Sequence, residues 1–148
     1  MLLYPVVSNF WNARVQSNAI ADYAQAIDNS DRTQAEQMLA EARSYNDSLL
    51  SRDGTFDMDE AWKAEYAELL NVTGTGIMGY VDIPCINCKL PIYHGTDETV
   101  LQVAIGHLEW TSLPVGGPST HAVISGHRGL PSAELLTHLD RMETGDRF

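Results

Sequence analysis

A chain of 148 residues with 9 Lys+Arg against 20 Asp+Glu has a formal net charge of -11, which excludes several partners at once. Nucleic-acid binding needs clustered Lys and Arg for phosphate contacts, and an acidic surface disfavours docking on anionic lipid. A hydrophobic share of 44% and a charged share of 20% describe a chain able to bury one core, not a disordered one.

Residues 1–72 read as helical. The opening MLLYPVVSNF is short, apolar and uncharged, and lacks the basic start and cleavage site of a signal peptide. It is either an ordinary start or the first residues past a membrane anchor. No run of eighteen apolar residues is present, so no transmembrane helix is expected. Trp11, Val15, Ala19, Tyr23, Ala26 and Ile27 recur at three and four, marking one helix face. NSD at 29–31 interrupts it. Thr33 with Glu36 has capping-box spacing and opens a second helix, whose face is Ala35, Met38, Leu39, Ala42, Tyr45 and Leu49. SRDGTFD at 51–57 is a loop with Gly54 as breaker. A third short helix carries Trp62, Tyr66, Leu69 and Leu70.

The pattern changes at VTGTG, 72–76. Three β-rich runs follow: IMGYVDI, KLPIYHG and HAVISGH. Pro84-Cys85-Ile86-Asn87-Cys88 joins the first two. Asn tolerates positive φ, so Ile86-Asn87 suits a two-residue hairpin turn. Residues 97–105 predict one or two helical turns, and 112–120 a loop. SAELLTHLDRM at 132–142 predicts a helix capped by Ser132, with Leu135, Leu136 and Leu139 at helical spacing. A strand-like segment begins at TGDRF. Strands that start to pair and then stop leave open edges, so the chain is expected to be incomplete.

Few residues carry chemistry. His127 follows an apolar strand-like run and lies between Gly126 and Gly129. That layout sets an imidazole at the mouth of a sheet, on a loop fixed by a rigid element, and histidine titrates near neutrality. A solvated loop histidine is the competing reading. His94, His107, His121 and His138 show no metal-ligand spacing and are expected to be structural or at the surface. GTGIMG at 74–79 does not join a strand to a helix as a phosphate loop would. Cys85 and Cys88 make no disulfide framework, and two thiols alone make no zinc site. If they flank a two-residue turn, their Cα atoms stand about 5.5 Å apart, within disulfide range. A cross-turn disulfide, two plain thiols, or a redox pair are the three readings, in that order. No cofactor and no metal is expected.

MGYVDIP, LPIYHGT, GHLEWTSLPVGG and SGHRGLPSAELLTHLD, spread in order over 76–148, resemble class C (pilin-polymerising) sortases. Residues 4–72, from YPVVSNFW, resemble the helical N-terminal region of that class more loosely. The resemblance implies a mainly β fold with N-terminal α-helices. Residues 1–72 would be the helical region, with a lid loop near 51–60. Residues 73–148 would be the first part of an incomplete sortase-like β-barrel.

It implies a cysteine transpeptidase anchored at the cell surface of a Gram-positive bacterium, with the anchor outside this chain. Such an enzyme cleaves an LPXTG-type signal on pilin subunits and joins them to an acceptor Lys through a thioester. His127, in SGHRG, matches the catalytic histidine. The family's cysteine and arginine belong to a later segment, so the 148 residues are expected to be inert alone. Neither Cys85, Cys88 nor Arg128 fills those roles. The family's Asp-Pro-aromatic lid tripeptide is absent, and Phe56, Asp57, Asp59 and Trp62 are the candidates to replace it. The alternative is a non-catalytic sortase-like module that binds pilin or another surface protein. The open strand edges predict self-association.

Overall fold

The computed structural model describes residues 4–52, 57–131 and 133–148, with side chains from Ser8 onward. Phe56 and the expected cap Ser132 lie outside the described residues. Three helices come first, α1 (Tyr4–Asn29), α2 (Arg32–Leu49) and α3 (Glu60–Glu68). A sheet follows, of β1 (Ile77–Ile83), β2 (Cys88–His94), β3 (Ile105–His107) and β4 (Ile124–Ser125), with a short helix α4 (Glu98–Leu101) between β2 and β3. The strand order is β1-β2-β3-β4. β2 and β3 run parallel and the other pairs antiparallel, because a parallel pair needs a crossover, supplied here by the segment bearing α4. Among the described residues the sheet is not closed into a barrel. No described helix is long and apolar enough to cross a membrane.

The helices begin where side chains can take up free N–H groups. Asp31, not Thr33, caps α2. Its carboxylate accepts from Gln34 N–H at 2.8 Å, and Gln34 Oε1 accepts from Asp31 N–H at 3.3 Å. The capping box therefore sits two residues before the expected one. Asp59 caps α3 by accepting from Trp62 N–H at 2.7 Å.

The core joins α2 and α3 to the sheet. Ala42, Tyr45, Met58, Trp62 and Tyr66 pack with Met78, Ile83, Leu90, Ile92, Ile105 and Leu113. Trp62 Nε1–H donates to Tyr45 Oη at 2.9 Å, so both aromatic polar atoms are used inside the core. Asn46 is buried as well. Its amide donates to Leu113 C=O at 3.1 Å and accepts from Leu113 N–H at 2.7 Å, pairing with the 112–115 loop as a strand would.

Two expectations about faces are corrected. Trp11 and Val15 were read as part of one apolar helix face, yet they are 67% and 51% exposed. Tyr23 of that expected face does turn toward the body, next to buried Ile20, and polar side chains on that side reach the body. Residues 133–142 do not form the expected α-helix. They form turns and a 3-10 turn at Leu139–Arg141, with Leu135 at φ 41°. A leucine in the left-handed region ends any helix there.

The β1–β2 connection is also longer than expected. Ile83 pairs with Cys88, and Pro84–Ile86 form a 3-10 turn closed by Asn87 at φ 51°. Asn87 takes the positive φ anticipated for it. Cys85 is consequently not the cross-strand partner of Cys88. Both thiols are free, Cys85 exposed and Cys88 buried, in place of the expected disulfide.

Candidate active site around His127

β4 is short because the chain must leave the sheet and turn. Ser125 pairs with Gly106, and Ile124 with His107. Gly126 follows at a point where a Cβ would come within 2.5 Å of Ile105 Cγ2. At Gly129 a Cβ would collide with Thr137 Oγ1. Glycine at both places lets the 126–129 loop lie against β3 on one side and the 133–137 turn on the other. Leu136 N–H donates to His127 C=O at 3.4 Å, and Leu130 and Ala133 form an isolated bridge.

His127 Nε2 is buried and has no hydrogen-bond partner among the described residues. Buried polar atoms are nearly always paired, and an exception calls for an explanation. Beside the loop lies a cavity of about 370 Å³ lined by Gly126, Arg128, Leu136, Leu139 and Asp140. Arg128 is exposed and pairs with exposed Asp140 at 3.2 Å, a solvated ion pair of small energetic weight.

The strand next to β4 is anchored by a polar network that sequence reasoning missed. His107 is fully buried. Its Nε2 is 2.8 Å from Ser112 C=O, and its Nδ1 is 2.9 Å from Tyr66 Oη. A carbonyl only accepts, so Nε2 carries the proton and Nδ1 accepts from the Tyr66 hydroxyl. The ring is satisfied while neutral. Burial lowers its pKa, against the Ser112 bond, and nearby His94 lowers it further. Burial likewise raises the Tyr66 pKa. Tyr66 Oη also accepts from Gly95 N–H at 3.2 Å. Thr111 Oγ1 accepts from Val123 N–H at 3.1 Å, and Leu108 N–H donates to Val123 C=O at 2.9 Å. These bonds fix the chain that enters β4. The only sequence signal was a histidine and a threonine beside an apolar run, with nothing to mark Tyr66 as their partner.

The other singled-out residues are not drawn to His127. Asp59 is engaged as a helix cap and Trp62 lies in the core under the Arg52 guanidinium, 4.7 Å from the ring centroid. Asp57, Asp59 and Trp62 line a cavity of about 420 Å³ with Arg52, Ala61 and Glu65. His127 is not among its described lining residues. Both thiols have raised pKa values: Cys88 by burial and then Asp82, Cys85 by desolvation and then its bond to Asp146 and the charge of Asp146. A thiol held protonated is a poor nucleophile. No cluster of three or more His, Cys, Asp or Glu side chains suited to a metal occurs among the described residues.

Comparison with known proteins explains the arrangement. Residues 81–148 match the model of the sortase domain. Sortase C1 from Streptococcus agalactiae is 44% identical with a TM-score of 0.82, over 87% of this chain and 67% of that one. The chain belongs to the sortase family. Another sortase C, from Streptococcus pneumoniae, is 39% identical with a TM-score of 0.74, over 87% of this chain and 65% of its own. Sortase D of Bacillus subtilis is 33% identical over 116 residues, which is 78% of this chain. The chain spans 54% of the length of that curated relative. In this sortase chain the N-terminal helices and the four-stranded sheet reproduce the corresponding part of the sortase C fold, with the His127 loop inside the matched segment.

Proposed function

We propose that this chain supplies the acid–base histidine of a cysteine transpeptidase that joins pilin subunits at the surface of a Gram-positive cell. One observation carries the reading. Among the described residues His127 Nε2 is buried without a partner, at the end of a strand held by the His107 network, as a group awaiting a proton-transfer partner would be. The likeness to the pneumococcal sortase C, described in terms of pilin substrate specificity, supports the substrate class.

The chemistry would run in two steps. A cysteine thiolate outside the described thiols attacks the Thr carbonyl carbon of an LPXTG-type signal. As the Thr–Gly C–N bond breaks, the His127 imidazolium donates its proton to the leaving amine, and a thioester remains. A lysine amine of the next pilin then attacks the thioester. His127 takes the amine proton, the C–S bond breaks, and an isopeptide bond results. Splitting one acyl transfer into two easier steps is the gain of covalent catalysis, and a single imidazole serves both as acid and as base.

The test uses a complete sortase polypeptide containing this segment and a fluorogenic LPXTG peptide. His127→Ala should lower kcat/KM by about 10³-fold or more, the scale on which loss of one member disables such a unit. Full activity in that variant would overturn the reading. Both described thiols have raised pKa values, which favours a second reading for the 148 residues alone: a module that binds pilin signals without turnover. Peptide binding with no cleavage by the 148-residue chain would support it.

A further inference from the structure

We propose that Asn9 is a positioning residue for His127, acting from α1 through the turn that backs the His127 loop. The proposal rests on the reading of His127 as the acid–base group and adds a residue from the far end of the chain.

Three polar side chains of α1, spaced i, i+7 and i+14, each bond the backbone of a different segment. Asn9 Oδ1 accepts from Glu134 N–H at 3.0 Å, Gln16 Nε2–H donates to Val103 C=O at 2.5 Å, and Tyr23 Oη–H donates to Met78 C=O at 2.9 Å. A step of seven is close to two helical turns, so all three lie on one side. Exposed Trp11 lies on the other. The rotation of α1 about its axis is thus set by polar handholds.

The Asn9 handhold falls on a strained turn. Leu135, at φ 41°, holds a conformation that persists only where its surroundings enforce it. Asn9 grips it on one side. On the other, buried Cys88 Sγ–H donates to Leu135 C=O at 3.7 Å. The next amide, Leu136 N–H, donates to His127 C=O. Asn9 and Glu134 line a cavity of about 310 Å³ and a second of about 560 Å³. Close packing therefore does not duplicate their bond. The His127 backbone is thus tied through Leu136 to the turn that Asn9 holds.

The experiment is NMR on the 148-residue chain, reading amide exchange at Glu134 and the imidazole signals of His127. Asn9→Ala should speed Glu134 exchange about tenfold, the scale of one lost hydrogen bond, and should shift and broaden the His127 ring signals. The His107 ring, bonded at both nitrogens, should stay unchanged and report an intact fold. Asn9→Asp, which keeps an acceptor oxygen, should restore both readouts. Gln16→Ala should leave His127 alone. Unchanged Glu134 exchange and His127 signals in Asn9→Ala would overturn the proposal. So would failure of Asn9→Asp to restore them, or an equal effect of Gln16→Ala. No turnover is involved, so this result and the peptide-cleavage result can fail independently.

Discussion

The segment from α2 to β3 and the segment from β4 onward are built on opposite principles. In the first, the buried polar side chains Asn46 and His107 each bond in two places, and aromatic rings fill the space between helices and sheet. In the second, β4 has two exposed residues, and a buried imidazole nitrogen has no hydrogen-bond partner among the described residues. The lesson concerns where free energy is held. Satisfied polar groups make a rigid frame, and an unsatisfied one marks the place where the proposed acid–base role of His127 would be exercised. Adjacent β3 and β4 let the frame aim the loop.

The largest effect expected is the loss of peptide cleavage in His127→Ala, on the loop side of that contrast. The Asn9→Ala response follows, since it asks whether the helical side reaches the loop without passing through the sheet. On the frame side, Asn46→Ala should cost about 2–3 kcal/mol of unfolding free energy, because it strands both Leu113 backbone groups in a buried place. Urea denaturation would show it, and a cost near zero would break the contrast.

A smaller effect should come from pH. The His107 pKa is lowered from 6.5 in the folded state, so the unfolded chain binds a proton first as pH falls. Stability from neutral His107 is complete above about pH 6.5, and is lost as pH drops from there toward the lowered folded value. Urea midpoints across that window should fall with pH, and less steeply in His107→Gln. The smallest effect expected is that of Arg128→Ala. Its pair with Asp140 is exposed at both ends, so the change should be under about 0.5 kcal/mol. A larger loss in the same denaturation assay would mean the His127 loop leans on that pair.

Much of this was legible beforehand, for local reasons. β1 occupies the IMGYVDI run, Trp62 and Tyr66 are buried in a short helix, and Asn87 turns with positive φ. Periodicity and single-residue φ preferences decide such features within a few residues of chain. The misreadings arose where distant contacts outweighed that periodicity. SAELLTHLDRM has helical spacing, but Leu135 and Leu136 are drawn instead against Cys88 and Gly126. Trp11 and Val15 share an apolar spacing with Tyr23, but α1 bonds the body through Asn9, Gln16 and Tyr23 and leaves Trp11 and Val15 exposed.

The sequence by itself determined the helical and strand-rich halves, the family resemblance and the candidacy of His127, because these rest on pattern and composition along the chain. Only the tertiary structure decided that Cys85 and Cys88 stand apart, that Tyr66 completes His107, and that His127 Nε2 is left without a partner among the described residues. Each depends on which backbone groups meet across long stretches of chain, and hydrogen-bond satisfaction is a property of the assembled fold.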